Sequence, residues 1–357
     1  MSGAGRATSR NPQVGAGKKV PRLPETEAVL EVRRAVRGWL AEYAPAASSG
    51  VAVALSGGAD SLALAAAAVV EAGHVEALVV DHRLQPGSGE VAAVAAAAAL
   101  KLGCRSARVL AVRVGRAGGL EAAARQARYA ALDAARAGLP VLLGHTLDDQ
   151  AETVLLGLAR GSGGRSIQGM AAFADPWGRP LLGIRRAATR ALCADLGLTP
   201  HEDPHNSAPE FTRVRLRTEV LPLLEDVLGG GVAAALARTA EQLRADGAVL
   251  DALAGELLRA ASADSDSEQA VGDDSGSNGV SLSIETLATA PAALRRRAIR
   301  AWLLAGGAKA LTGKHLHAVD ELITAWRGQG GVAVGGGGPG SRLVAAREHG
   351  RLTMRLR

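Results

Sequence analysis

A chain of 357 residues is longer than one hydrophobic core usually serves, and with 48% hydrophobic residues it has enough apolar material for two domains. Its 41 Lys and Arg against 35 Asp and Glu give a formal charge of +6, compatible with a polyanionic partner, while only 2% aromatic residues leave few surfaces on which bases could stack. Two cysteines, Cys104 and Cys193, far apart and in no C-x-x-C spacing, exclude a disulfide framework, a zinc ribbon and an iron-sulfur cluster.

In chain order, Met1 to Pro24 is basic, punctuated by Gly and Pro, lacks the apolar stretch of a signal peptide and reads as a disordered tail over residues 1–24. No later apolar run is uninterrupted enough to span a bilayer, so a cytoplasmic protein without a membrane partner is expected. A lead helix near Glu25 to Tyr43 is followed by strand candidates Val51 to Leu55, Val75 to Val80, Arg108 to Val112 and Val141 to Leu143. Helices fall between them, around Ser61 to Ala72, Gly89 to Leu102 and Leu120 to Ala137, with another after Leu147. This alternation implies an α/β fold, a Rossmann-like parallel sheet with helices on both faces, whose ligands sit at the carboxyl ends of the strands. The Ser56 loop, Asp81-His82 and Gly144-His145 fall at such ends. Composition shifts after Leu228-Gly-Gly-Gly231, which sets a catalytic domain at 25–229 and a smaller, mainly helical substrate-binding domain at 230–357. Within the latter, Ser262 to Asn278 is Ser/Asp/Gly-rich and reads as a flexible loop, 262–279, and the end is β-like over Val332 to Val334 and Arg342 to Arg355.

The most specific local signal is Val51-Ala-Val-Ala-Leu-Ser-Gly-Gly-Ala-Asp-Ser61, an apolar strand running into a Ser-Gly-Gly-x-Asp-Ser turn and then an Ala/Leu-rich helix. Gly57 and Gly58 let the backbone approach an anion, while Ser56, Ser61 and the first helical N–H groups, Ala59 among them, supply donors. Asp60 makes sense inside such a loop if a divalent cation bridges it to phosphates; otherwise Asp60 and Ser61 are ordinary helix-capping residues. No intact Walker loop competes, because Pro12 stands where its first glycine should be and Lys19 follows Gly17-Lys18 in place of Ser or Thr. Gly161-Ser-Gly163 fails as a dinucleotide fingerprint because Ser166 occupies the last glycine's place.

Three further clusters carry charge. In Gly144-His-Thr-Leu-Asp-Asp-Gln-Ala-Glu-Thr-Val154, a helix starting near Thr146 brings Asp149 and Glu152 onto one face, a pair able to bind a cation. Thr146-x-x-Asp149 is equally a capping box, His145 equally a structural hydrogen-bonding residue, and spacing alone leaves both readings open. Arg125 and Arg128, three apart on an alanine-rich helix, suit an anionic ligand or merely form a solvated face. Arg213, Arg215 and Arg217 in Phe211-Thr-Arg-Val-Arg-Leu-Arg-Thr-Glu-Val-Leu-Pro222 would meet a polyanion near the domain boundary.

Ser56 to Ser61 matches the SGGxDS signature of the PP-loop ATP pyrophosphatases, and the wider pattern resembles the tRNA(Ile)-lysidine synthetase family. That resemblance is carried by Val80-Asp-His82, Glu121-Ala-Ala-Ala-Arg125 with Arg128-Tyr129, His145 to Thr153, Arg160-Gly-Ser-Gly-Gly164, Arg179-Pro-Leu-Leu182, Glu202-Asp-Pro204 with Asn206, and Phe211 to Pro222. Two positions depart from the family pattern: Val214 replaces an asparagine, and Thr146 a frequent second histidine. The resemblance implies ATP-dependent attachment of free L-lysine to C2 of the wobble cytidine, position 34, of tRNA(Ile) with a CAU anticodon. The reaction would pass through an adenylated cytidine and change the codon read from AUG to AUA. It implies Asp60, Arg125, Asp149 and Glu152 as catalytic residues, with Mg²⁺ at Asp60. ATP would lie against Ser56 to Ser61, Asp81, His82 and His145, and tRNA against Arg128, Arg213, Arg215 and Arg217. A homodimer stays open. Two rival readings are a PP-loop tRNA thiolase, which should need a sulfur-handling cysteine arrangement, and a non-enzymatic nucleotide- or RNA-binding protein, which leaves Asp60, Asp149 and Glu152 together unexplained.

Overall fold

The computed structural model describes residues 22–44, 50–115, 119–161, 163–203, 210–268, 281–337 and 341–357. Most of the expected tail over 1–24 and residues 204–209 lie outside the described residues. The chain divides into two compact units, one of Met1–Glu152 with Met170–Ala234, the other of Thr153–Gly169 with Ala235–Arg357.

The first unit opens with α1 (Glu27–Tyr43), whose Val29, Val32, Val36, Trp39 and Leu40 recur at helical spacing and are buried. Then β1 (Val51–Leu55), α2 (Ala59–Ala72), β2 (Val75–Asp81), α3 (Ser88–Leu102), β3 (Ser106–Ala111), α4 (Leu120–Ala135), β4 (Val141–Leu143) and α5 (Leu147–Arg160) alternate as the sequence predicts. A short hairpin, β5 (Phe173–Ala174) and β6 (Trp177–Gly178), precedes α6 (Arg186–Asp195), α7 (Thr212–Arg215), a π-helical turn (Leu216–Val220) and α8 (Leu221–Val227). The sheet order is β3-β2-β1-β4-β6-β5, with β1 to β4 and β6 parallel and β5 antiparallel at the edge. The hairpin was not legible because two-residue strands carry no period.

Strand β1 lies at the centre, and all five of its residues are buried. Val51, Val53 and Leu55 face one core with α1, α2 and α6, while Ala52 and Ala54 face the other with Leu78, Leu132 and Leu143. Burial on both faces explains why it reads as an unbroken apolar run rather than as an alternation. From β1 the chain steps outward to β2 and β3, then returns to place β4 on β1's other side. That reversal opens a crevice beyond the carboxyl ends of β1 and β4, where doubly wound sheets bind ligands.

The second unit contains most of α9 (Val232–Glu268), then β7 (Leu282–Ser283), α10 (Ile284–Thr289), α11 (Ala292–Ala305), α12 (Gly313–Thr324), β8 (Val332–Val334), β9 (Leu343–Glu348) and β10 (Arg351–Leu356). Its strands form an antiparallel sheet in the order β7-β10-β9-β8 around a core including Leu282, Ile299, Trp302, Leu322 and Leu352. Of three expectations for this unit, the β-like end holds and two are corrected. The β-like run Arg342 to Arg355 is a hairpin, because His349 and Gly350 both take positive φ, +47° and +76°, the conformation of a two-residue type I′ turn. Helix α9 runs on to Glu268, past Ser262 where the flexible loop was placed, since Ser, Ala and Asp cost a helix less than Gly or Pro would; residues 269–280 lie outside the described ones. Thr153–Gly169, assigned by sequence to the catalytic domain, belongs with the second unit, where Gln168 Nε2 donates to Leu243 O at 3.0 Å and Arg165 pairs with Asp251.

Among the described residues no single helix is long and apolar enough to cross a membrane.

Candidate active site

Helix α2 begins at Ala59 with Gly58 as its N-cap, so Asp60 and Ser61 stand in the first helical turn and not in the loop. Gly57 takes φ +86°, a conformation costly for any residue with a Cβ. The Ser61 hydroxyl ties the loop together: Oγ donates to Gly58 O at 2.9 Å, accepts from Ser56 N at 3.2 Å and lies 3.2 Å from Ser56 Oγ. His201, which the sequence reading did not single out, donates its backbone N–H to Gly57 O at 2.9 Å. A cleft of about 410 Å³ opens beside this loop at the ends of β1 and β2, lined by Ser56, Gly58, Asp81, His82, Arg128, His201 and Asp203 among others. Its size suits a nucleotide.

Asp81 and His82, both expected at the nucleotide, line this cleft. Burial alone would raise the Asp81 carboxyl, but the Ser88 hydroxyl and the Arg83 N–H, 2.9 Å from Oδ1, hold it below its usual range. Burial, reinforced by Arg128, lowers His82, whose Nδ1 is buried without a hydrogen-bond partner among the described residues. Arg128, expected on tRNA, lines the same cleft. Arg125 is exposed, stacked 4.9 Å from the Tyr129 ring centroid.

On the other side of β1, Asp149 forms the capping box that its spacing allowed and also pairs with an arginine of the chain itself. Its Oδ2 accepts from Thr146 N and Thr146 Oγ1, each at 2.8 Å, while its own N–H reaches Thr146 Oγ1 at 3.4 Å, a capping box. Its Oδ1 meets Arg186 Nη2 at 2.7 Å. Glu152, 1% exposed, accepts from Arg217 Nε at 2.8 Å and Nη2 at 3.2 Å. Arg186 is the hub, with Asp60 3.5 Å and Glu152 3.6 Å away, and its backbone N–H on Asp148 Oδ2 at 2.8 Å. Thr189, on the same helix, donates its hydroxyl to Asp60. Neither Arg186 nor Thr189 was anticipated; the available signal was the Arg185-Arg186 pair with no acid among its near neighbours in sequence to neutralise it.

These contacts set the protonation states. Burial raises the Asp60 carboxyl more than Thr189 and Arg186 lower it. For Asp149 the balance is reversed, because Arg186 and Thr146 outweigh burial and hold the carboxyl low. Burial, helped by Arg179, Arg128 and Arg125 and opposed by Asp149, pushes His145 down to about 4, so it is a neutral imidazole at pH 7.

The three arginines expected along a phosphate backbone are not equivalent. Arg213 and Arg215 are exposed, Arg215 pairing with Glu219 at 2.8 Å. The π-helical turn adds an extra residue to the helical stretch, and Arg217 within it enters the carboxylate cluster, a geometry invisible to a 3.6-residue reading. Val214, at the position where the family pattern has asparagine, is buried. No group of three His, Cys, Asp or Glu side chains able to hold a metal ion occurs among the described residues. A lone carboxylate such as Asp60 nevertheless fits Mg²⁺, which usually takes one or two carboxylates and completes its shell with phosphates and water.

A strand-turn-helix anion loop at the switch point of a doubly wound sheet, with a nucleotide-sized cleft beside it, defines a PP-loop ATP-using domain. The family model described as PP-loop domain matches residues 31–224, and that described as TilS substrate binding domain matches 282–353. The chain is 76% identical over 324 residues to tRNA(Ile)-lysidine synthase of Nocardia farcinica (strain IFM 10152), covering 91% of this chain and 97% of that protein. It is 66% identical over 332 residues to the enzyme of the same name from Rhodococcus erythropolis (strain PR4 / NBRC 100887), covering 93% and 97%. Against that of Mycobacterium tuberculosis (strain ATCC 25618 / H37Rv) it is 59% identical over 303 residues, covering 85% and 90%. The chain belongs to the tRNA(Ile)-lysidine synthase family.

Proposed function

We propose that this protein forms lysidine on tRNA(Ile), joining the ε-amine of free lysine to C2 of the wobble cytidine of the CAU anticodon with conversion of ATP to AMP and pyrophosphate. The observation that carries the reading is Arg186, which links Asp60 at the anion loop to Asp149 and Glu152 and so puts nucleotide and amine chemistry side by side.

In the first step the C2 oxygen of cytidine attacks the α-phosphorus of ATP, and pyrophosphate leaves with the bonding electron pair. The N–H groups at the start of α2, with Ser56 and Ser61, stabilise charge building on the phosphates. Asp60 would hold Mg²⁺, which supplies further neutralisation of that charge when bound. Asp81, His82 and Arg128 line the cleft that would take the nucleotide, the neutral His145 stands at the end of β4, and exposed Arg125 on α4 would meet the incoming cytidine. In the second step the lysine nitrogen bonds to C2, the bond to the AMP oxygen breaks, and the amine proton passes to a carboxylate. A free lysine amine is protonated at pH 7, and neutralising it costs roughly 4–5 kcal/mol. Asp149 and Glu152, each paired with an arginine, bind that ammonium and accept its proton. Exposed Arg213 and Arg215 contact the tRNA backbone, while Arg217 orients Glu152.

A thiolase reading is disfavoured because Cys104 and Cys193 are both buried, with thiols pushed up to about 11. Pyrophosphate release measured with ATP, lysine and unmodified tRNA(Ile) tests the function. Release that needs this tRNA, together with lysine incorporated at the wobble cytidine, is expected; release without any tRNA dependence refutes it.

A further inference from the structure

Helix α6 lies along the first turn of α2, and three of its residues, spaced i, i+3 and i+7 on one face, reach that turn. Cys193 Sγ donates to Ala59 O at 3.5 Å, the Thr189 hydroxyl donates to Asp60 Oδ1, and Arg186 Nε stands 3.5 Å from Asp60 Oδ2. We infer that Thr189 is a positioning residue for Mg²⁺ binding at Asp60: its hydroxyl anchors Oδ1 and so presents Oδ2 to the cation that accompanies ATP. This rests on the proposed role of Asp60 in holding Mg²⁺.

The partner that the hydroxyl takes argues for this. Thr189 is fully buried and is the only residue of α6 with a hydroxyl. A threonine inside a helix can satisfy itself on a carbonyl of the preceding turn, and Arg186 O lies 2.8 Å from Oγ1 for that purpose. A hydroxyl carries a single proton, however, and a carboxylate draws it more strongly than a carbonyl does. Thr189 therefore has no need of Asp60 for its own sake. What the hydroxyl adds is a fixed orientation of the Asp60 carboxylate.

The two oxygens of that carboxylate are held unequally. Arg186 divides its guanidinium between Asp60, Asp149 at 2.7 Å and Glu152 at 3.6 Å, and its 3.5 Å approach to Oδ2 is long for a hydrogen bond. Oδ2 is thus the oxygen that a cation can take, and the Asp60 side chain, 25% exposed, is open to one. Without the anchor, Asp60 can turn both oxygens onto Arg186 as a forked pair, which competes with metal binding.

Calorimetric titration with ATP, in excess Mg²⁺ and again with a chelator, gives the factor by which Mg²⁺ tightens ATP binding. That factor should fall about tenfold to a hundredfold in Thr189→Val, as for other groups that orient a metal ligand, with binding in the chelator unchanged. Thr189→Ser should restore most of it. The Mg²⁺ concentration for half-maximal pyrophosphate release should rise in Thr189→Val in parallel. A role in packing alone would lower the melting temperature and leave the factor untouched. An unchanged factor in folded Thr189→Val protein, or an equal loss of affinity with and without Mg²⁺, overturns the inference. Should that variant fail to fold, Thr189→Ala takes its place with the same expectation. Asp60→Ala separates the two readings. If Mg²⁺ tightens ATP binding as much in that variant as in wild type, Asp60 holds no metal and both readings fall. If the factor collapses in Asp60→Ala but not in Thr189→Val, only the present inference falls.

Discussion

Asp149 carries two roles that a substitution can separate. Asparagine keeps one side-chain oxygen for the Thr146 donors but loses the charge that meets Arg186 and would meet an ammonium. Asp149→Asn should therefore bind tRNA and release pyrophosphate while lysine addition slows, so that an adenylated tRNA accumulates. Chromatography of quenched reactions would show it, and normal lysine use by this variant would remove Asp149 from the amine step. His145 supplies a pH test. Its folded pKa of about 4 lies below the roughly 6.5 of an unfolded histidine, so protonation favours the unfolded chain. Its contribution is complete above pH 6.5 and is lost as pH falls toward 4, at most roughly 3 kcal/mol. Denaturant melts over that window should be flatter for His145→Gln than for wild type. Arg186 shows where residue-level reading stops. Asp60, Asp149 and Glu152 were legible because acids beside an anion loop demand an explanation, but the cation that holds all three comes from a helix far along the chain, and sequence spacing cannot supply that contact.

Elements carry their own constraints. A Cβ built on Gly144, just beyond β4, would lie 3.0 Å from the backbone C and O of Asp60 and 3.1 Å from Ser61 N. Backbone cannot swing aside as a side chain can, so Gly144→Ala must push the start of α2. Misplacements of this order impair catalysis strongly, and a fall of about tenfold or more in kcat for pyrophosphate release is expected with little change in tRNA affinity. The helical stretch that starts with α7 gives a second contrast. Arg217→Ala leaves Glu152 buried with Arg186, 3.6 Å away, as its ion-pair partner among the described residues and should cost stability toward the lower end of roughly 3–5 kcal/mol, read as a lowered melting temperature. Arg213→Ala, on an exposed side chain, should leave the melt unchanged but weaken tRNA binding and reduce its salt dependence. Strands β1, β2 and β4 were legible almost residue for residue, since burial makes them largely apolar runs, whereas the mostly exposed edge strand β3 was read two residues late at its start. The π-helical turn and the edge hairpin were not, since neither has the periodicity on which such reading depends.

At the scale of the whole molecule, composition predicted two parts correctly in kind: an α/β unit, and a smaller unit dominated by helices. What it could not reveal is that the second unit is built from two separate stretches, Thr153–Gly169 and Ala235–Arg357. Within that unit Gln168 and Arg165 bind α9 through Leu243 and Asp251. A fragment ending at residue 229 keeps the first stretch and loses its α9 partners Leu243, Arg244 and Asp251. Limited proteolysis of such a fragment should cut first between 153 and 169, at sites protected in the intact protein. The interleaving also limits how this protein can exchange parts with its relatives. A single recombination event near residue 230 would join an insert bred to one C-terminal half onto another, so a working chimera needs two crossovers in the first half of the gene as well as one near Ala235, or else relatives similar enough that the borrowed insert still fits.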